Sequence, residues 1–176
     1  MNEAAAVVTE QRSGGLSASA AARLIALLLP VALLGGALGS QYLGGLHPCE
    51  MCYWQRWPHG VAIIIALLAF AAPAGSRSGR VLTLLAALAI AVSGAIGVYH
   101  AGVEAKIFEG LTQCTASVST GLSNAELLQQ ITHAPIVRCD EVQFRFLGIS
   151  LAGWNAILSL GGAGLITALV IKGKRT

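Results

Sequence analysis

Four stretches of the chain are almost free of polar side chains, and each comes close to bilayer length. A hydrocarbon core about 30 Å thick needs roughly 20 apolar residues in a helix. The first stretch covers about 24–43, with Arg23 at its edge, where a long side chain can snorkel. The second, counted strictly, runs only from Val61 to Ala72; it reaches length as 53–72 by taking in Tyr53, Trp54 and Trp57, residues suited to an interfacial belt. The third, about 81–99, contains no charge, and the fourth, about 151–171, is followed by Lys172, Lys174 and Arg175. None carries the polar stripe of a soluble amphipathic helix. The pattern predicts an all-α membrane protein, a four-helix transmembrane bundle over 23–172, with a tail at 1–22 and another at 173–176. Two small-residue pairs, Gly35 with Gly39 and Ser93 with Gly97, mark where its helices are expected to approach closely.

Composition supports this picture. Of 176 residues 55% are hydrophobic and 11% charged, with a mean hydropathy of +0.71. An average soluble domain has about 25% charged residues. Disorder is excluded, because a disordered chain is poor in apolar residues. A net charge of +3 with scattered basic residues argues against nucleic-acid binding. The charges also orient the bundle. With four spans, both termini and the 73–80 turn share one side, and that side holds seven basic residues (Arg12, Arg23, Arg77, Arg80, Lys172, Lys174, Arg175) against Glu3 and Glu10. The other side holds Arg56, Lys106, Arg138 and Arg145 against six acids. The positive-inside rule makes the termini cytoplasmic and turns the segments at about 41–58 and 100–150 outward. A cleaved signal peptide is the competing reading of the first span, but two acids precede it and no clean A-x-A site follows.

All four cysteines, Cys49, Cys52, Cys114 and Cys139, fall in those outward segments. The outer side of a bacterial-type inner membrane is oxidising, so paired cysteines there are disulfide-competent. Cys49-Glu50-Met51-Cys52 is a C-x-x-C, a tight ring that favours reversible redox chemistry. Cys114 and Cys139 would close a long loop, where a purely structural disulfide contributing roughly 3–4 kcal/mol is a serious alternative. An all-cysteine zinc ribbon wants a second C-x-x-C. Covalent haem wants a His where Tyr53 stands. No metal site is expected.

Position sharpens the reading of the first pair. Pro48 precedes Cys49 and the second span follows at once, so the motif lies at or near a helix N-terminus, where the partial positive charge favours thiolate. Arg56 follows Cys52 by one helical turn and shares its face. A guanidinium at the apolar boundary is costly and needs a partner. It is either a snorkelling interfacial residue or a fixed cation for a thiolate or a reduced, anionic acceptor. Pro58 either starts the regular part of that helix or kinks it. In the second outward segment Ser123 and Glu126 form a capping box, and Leu127, Leu128 and Ile131 line one side of the short amphipathic helix expected to follow, ended by Pro135.

The run His47-Pro48-Cys49-Glu50-Met51-Cys52-Tyr53-Trp54-Gln55-Arg56 resembles the first outward loop of the DsbB family of bacterial inner-membrane disulfide-generating proteins. Gly97-Val98-Tyr99-His100-Ala101-Gly102-Val103-Glu104 resembles the end of that family's third span, and Phe146-Leu147-Gly148 the start of its fourth. Cys114 and Cys139 are similar in placing to its second cysteine pair. The likeness covers about 20–172; the long Ala/Ser-rich N-terminus departs from it. It implies a thiol–quinone oxidoreductase that reoxidises a periplasmic DsbA-like dithiol oxidase and passes the electrons to membrane quinone, ubiquinone or menaquinone. Carried over, Cys114–Cys139 would exchange with the partner, and Cys49–Cys52 would reoxidise that pair. Cys52 would face the quinone ring beside Arg56, and His100 would lie near the same ring. His47, His59 and His133 receive no role. The chemistry is coherent: a DsbA-type oxidant near −120 mV, roughly, is beyond nicotinamide, whereas a quinone can reoxidise it. Three other readings stay open: a vitamin K epoxide reductase-like enzyme, a haem carrier using His59 and His100, and a disulfide-stapled scaffold without activity.

Overall fold

The structure is a computed structural model and describes residues 17–73, 75–110, 123–125, 128 and 137–175. Four long helices dominate: α1 (Ala18–Tyr42), α2 (Glu50–Ala71), α3 (Arg77–Glu104) and α4 (Leu151–Arg175). A small antiparallel hairpin, β1 (Arg145–Phe146) and β2 (Ile149–Ser150), leads into α4. Its two-residue loop, Leu147-Gly148, has positive φ at both positions (50° and 81°), the backbone that matches the twist of the flanking strands. The helices start where side chains can satisfy their first N–H groups. Ser17 accepts from the Ala20 amide, Cys49 from that of Cys52, and Ser76 from that of Gly79.

Among the described residues three helices are long and apolar enough to cross a membrane: α1, α3 and the Leu151–Gly173 part of α4. The second expected span is the exception. α2 has 22 residues, but Glu50, Gln55, Arg56 and His59 fall in its first half, so it is apolar throughout only from Val61 onward. Pro58 stands inside this helix and not at its first turn. The helices also overrun the expected apolar limits, α1 beginning at Ala18 and α3 continuing to Glu104. Of the amphipathic helix expected after Ser123, only Asn124, Ala125 and Leu128 are described, and these are helical. Glu126, Leu127, Ile131 and Pro135 lie outside the described residues, as does Cys114.

The packing is that of a bundle in lipid. Large side chains point outward: Leu28, Ile64, Leu88 and Ile157 are all more than half exposed. The buried positions are small, among them Ala22, Ala26, Ala62, Ala66, Ala86 and Ala163 around Ile90 and Ile166. Lipid tails leave no hydrophobic drive for large residues to turn inward, so the helices gain contact by bringing backbones together. α3 lies between α2 and α4, and α1 closes against α2 and α4. Of the two small-residue pairs, one does what the sequence suggests. A Cβ added at Gly97 would stand 3.0 Å from the Ala156 backbone nitrogen and 3.1 Å from the Ala152 carbonyl oxygen, and Ser93 is fully buried. Gly35 and Gly39, by contrast, have no described residue within 4 Å of such an atom, so among the described residues that pair makes no close interhelical contact. The Arg23 guanidinium donates to the carbonyls of Ala72, the C-cap of α2, and of Pro73.

These contacts set a stability test. Gly97→Val has to push α4 away from α3 and should cost about 1–3 kcal/mol, while Gly35→Val should stay within about 0.5 kcal/mol. Thermal unfolding in one detergent separates them; equal melting temperatures would mean that α3 and α4 are not in close contact.

Candidate redox site

Cys49 sits in extended backbone as the N-cap of α2. The geometry follows from Pro48, which cannot donate a backbone hydrogen bond, and from the C-x-x-C spacing, which lays Cys52 one turn above Cys49. The two sulfurs are 3.0 Å apart, and the Cys49 sulfur also accepts the Cys52 N–H at 3.3 Å. The Cys52 sulfur pushes the Cys49 thiol up, first through the side-chain hydrogen bond between them and then through burial. The Arg56 charge acts on the Cys52 sulfur.

His100 approaches from α3. Its Nε2 lies 3.5 Å from the Cys49 sulfur and 3.9 Å from Glu104 Oε1. The tautomer can be read from its neighbours. Gln55 Nε2 donates to the Met51 carbonyl at 3.1 Å, which identifies it as the amide's NH₂ group, and the same nitrogen lies 2.7 Å from His100 Nδ1. Nδ1 is thus the acceptor, and the imidazole proton sits on Nε2, turned toward sulfur and carboxylate. His100 also bonds the Cys139 backbone. Two sulfurs and an imidazole within 4.8 Å of one another could also hold a soft metal ion, which would occupy both thiolates and block redox chemistry.

Arg56 is not a solvated interfacial cation. It donates to Gln41 Oε1 and to the Ala37 carbonyl of α1 at 3.2 Å, and its guanidinium lies 5.2 Å from the centre of the Tyr53 ring. These contacts supply the partner its position requires and fix the charge on the Cys52 side of the pair.

Cys139 arrives from the segment that joins α3 to β1. It is buried with Cys49, Met51 and Val103 in one cluster. The neighbouring Asp140 anchors it: its carboxylate bonds Arg138 and Lys106, which hold it well below the usual carboxylate range. That carboxylate stays ionised wherever thiol exchange operates, so the Cys139 turn is tied to the end of α3. The structure therefore brings together five of the six site residues expected from sequence; Cys114 lies outside the described residues.

A cavity of about 290 Å³ opens beside the pair. α1 supplies an apolar wall, including Leu33, Leu34 and Ala37; the polar lining includes Cys49, Cys52, Arg56, His59, His100 and Asn155, with Glu104, Arg138 and Glu141 among the charged groups. A mostly apolar cavity with a few convergent polar groups, just below ~300 Å³, suits a small aromatic headgroup. Sequence reading missed Gln41, Gln55, Ser93 and Asn155. Their signal was available: amides and hydroxyls inside otherwise apolar helices are costly unless they bond one another.

With the geometry in view, comparison with known proteins is specific. The family profile of disulfide bond formation protein DsbB matches residues 19–169. The chain is 30% identical to the disulfide bond formation protein B of Azoarcus sp. over 152 residues, covering 82% of this chain and 87% of that one. It is 28% identical to the protein of the same name from Chromohalobacter salexigens over 160 residues, 85% and 91% of the two chains. It is also 25% identical, over 78% of its length and 79% of the relative's, to an uncharacterised Rickettsia prowazekii protein. No solved structure matches it. A membrane bundle that carries a C-x-x-C at a helix N-terminus, with a third cysteine packed behind it, thus belongs to the DsbB family of disulfide bond formation proteins.

Proposed function

We propose that this protein generates disulfides de novo in the periplasm of a bacterium, reoxidising a DsbA-like dithiol protein and delivering the electrons to membrane quinone. The observation that carries the reading is the setting of Cys49–Cys52. Buried Cys139 packs in one cluster with Cys49, and a cavity lined by Cys49, Cys52 and Arg56 opens beside the pair. Such a pair can take electrons from a water-facing disulfide and pass them to an acceptor dissolved in lipid. Both termini are then cytoplasmic, and the cysteine-bearing segments face the periplasm.

The sequence of bonds is as follows. The partner's thiolate attacks the Cys114–Cys139 disulfide at Cys114, giving a mixed disulfide and releasing Cys139 as thiolate. Cys139 attacks Cys49, with which it shares a buried cluster, and Cys52 leaves as thiolate at the helix N-terminus beside Arg56. The partner's second thiol resolves the mixed disulfide and departs oxidised, leaving Cys114 as a thiol. Attack of Cys114 on Cys139 restores that disulfide and returns Cys49 as a thiol, hydrogen-bonded to Cys52. The Cys49–Cys52 pair gives two electrons and two protons to the quinone, and a disulfide and a hydroquinone result. His100, with its proton on Nε2 facing Cys49, steadies negative charge on that sulfur between steps.

Two measurements test this. Cys139→Ser should abolish oxidation of the partner dithiol while Cys49–Cys52 still forms at the expense of quinone; an unchanged rate of partner oxidation would make the loop disulfide structural. Arg56→Ala should raise the KM for quinone or slow its reduction by about 10- to 150-fold, the worth of a charged hydrogen bond of about 1.5–3 kcal/mol. Arg56→Lys should recover only part, because a point charge lacks the two-pronged geometry now shared between Gln41 and Ala37. Unchanged quinone kinetics in Arg56→Ala would remove Arg56 from the site and leave it a tie between α1 and α2.

A further inference from the structure

The deep end of the cavity holds a polar cluster that the redox steps above do not use. Asn155 of α4 is its centre. Its Nδ2 donates to the Ser93 carbonyl at 3.2 Å, which can only accept and so fixes the amide orientation; the same nitrogen donates to Gln55 Oε1 at 2.8 Å and to Ser93 Oγ at 3.1 Å. Its Oδ1 accepts from Ser159 at 3.0 Å and faces His59 Nε2 at 2.9 Å. Ser93 Oγ lies 2.9 Å from the same imidazole nitrogen.

Donor bookkeeping assigns the His59 proton. A serine hydroxyl has one hydrogen, and Ser93 gives it to the Gln55 carbonyl at 2.8 Å. Toward His59 it can only accept, and so can Asn155 Oδ1. The proton is therefore on Nε2, shared between two acceptors. Among the described residues no carboxylate contacts this ring, and an imidazole buried among apolar helices is neutral. Its Nδ1 then carries a bare lone pair. His59 is only 3% exposed and lines the cavity, and Nδ1 has no hydrogen-bond partner among the described residues. A buried acceptor without a donor is costly, and what satisfies it has to bring a hydrogen.

We propose that His59 forms a hydroxyl-binding subsite at the inner end of the cavity, its Nδ1 accepting a hydrogen bond from a ring O–H of the hydroquinone and offering none to the carbonyl of the quinone. The proposal rests on the quinone reading above and adds a direction to it. A quinone oxygen meets the Nδ1 lone pair as a second acceptor. Once two electrons and two protons have passed from the Cys49 and Cys52 thiols, leaving their disulfide, the same oxygen is a hydroxyl and becomes the missing donor. His59 is thus a positioning residue that favours the reduced ring over the oxidised one, drawing the transfer forward at the cost of slower release.

The test uses the full-length protein in lipid nanodiscs and short-chain forms of one quinone. Binding of quinone, quinol and the two mono-O-methyl ethers of the quinol is measured for wild type and His59→Leu. In wild type, one of the two ethers should bind about 5- to 150-fold more weakly than the quinol, the range for leaving a buried acceptor unsatisfied. His59→Leu should weaken quinol binding by a similar factor, change quinone binding less than about threefold and erase the difference between the ethers. Should the variant fail to fold, the ethers still decide the matter on wild type. Two ethers that bind wild type as well as the quinol does, or quinone and quinol weakened equally by His59→Leu, would overturn the subsite. If wild type binds neither ring and reduces no quinone with a dithiol donor, the quinone reading itself fails, and the two failures are thereby told apart.

Discussion

The Asn155 amide carries more of this structure than any other single group. It is hydrogen-bonded to Gln55 and His59 of α2, to Ser93 of α3 and to Ser159 on its own helix. In hydrocarbon the hydrophobic effect does not draw helices together, and an unmet polar group is expensive, so a mutually satisfied cluster both attracts the helices and fixes their rotation. The close α3–α4 approach at Gly97 lets Asn155 reach Ser93, and a Cβ there would stand 3.1 Å from the amide nitrogen. Backbone proximity and polar satisfaction thus depend on one another. Losing either would loosen the floor of the cavity as well as the bundle.

From that floor the order passes outward to the sulfur chemistry. Gln55 accepts from Asn155 through Oε1 and donates to His100 Nδ1 through Nε2, so the amide dictates which imidazole nitrogen faces Cys49. Orientation of a histidine through the group on its other nitrogen is a general way to fix its tautomer. On the opposite side of the pair Arg56 is held by α1 through Gln41 and Ala37. The Cys49–Cys52 pair therefore lies between a donor fixed by α2 and α4 and a cation fixed by α1. Neither arrangement survives if the helices separate. That dependence explains why the first half of α2 keeps its polar residues, although they leave it less apolar than the other three helices.

The chain's own residues announced much of this. The apolar runs and the C-x-x-C next to Pro48 led to a membrane bundle with its cysteine motif at a helix N-terminus, and the residues from His47 to Arg56, with Gly97–Glu104, the second cysteine pair and Phe146–Gly148, suggested the family. The pattern was legible because a bilayer imposes length and apolarity directly on the sequence, and because capping and helix charge are local effects. What sequence could not supply was partnership. Gly35 with Gly39 and Ser93 with Gly97 read alike as strings, yet among the described residues only the second pair meets a neighbour. Arg23 and Arg56 both read as candidates to snorkel, and both donate to distant backbone carbonyls, Arg23 to Ala72 and Pro73 just past α2 and Arg56 to Ala37 of α1. His59 had no readable role until its Nε2 was seen between Ser93 and Asn155, more than 30 and more than 90 residues away in the chain. Sequence determines which groups enter the membrane and at what depth, because that depends on each helix alone. Tertiary structure decides which of them face each other, because a hydrogen-bond donor is assigned only by the acceptor that another helix brings to it.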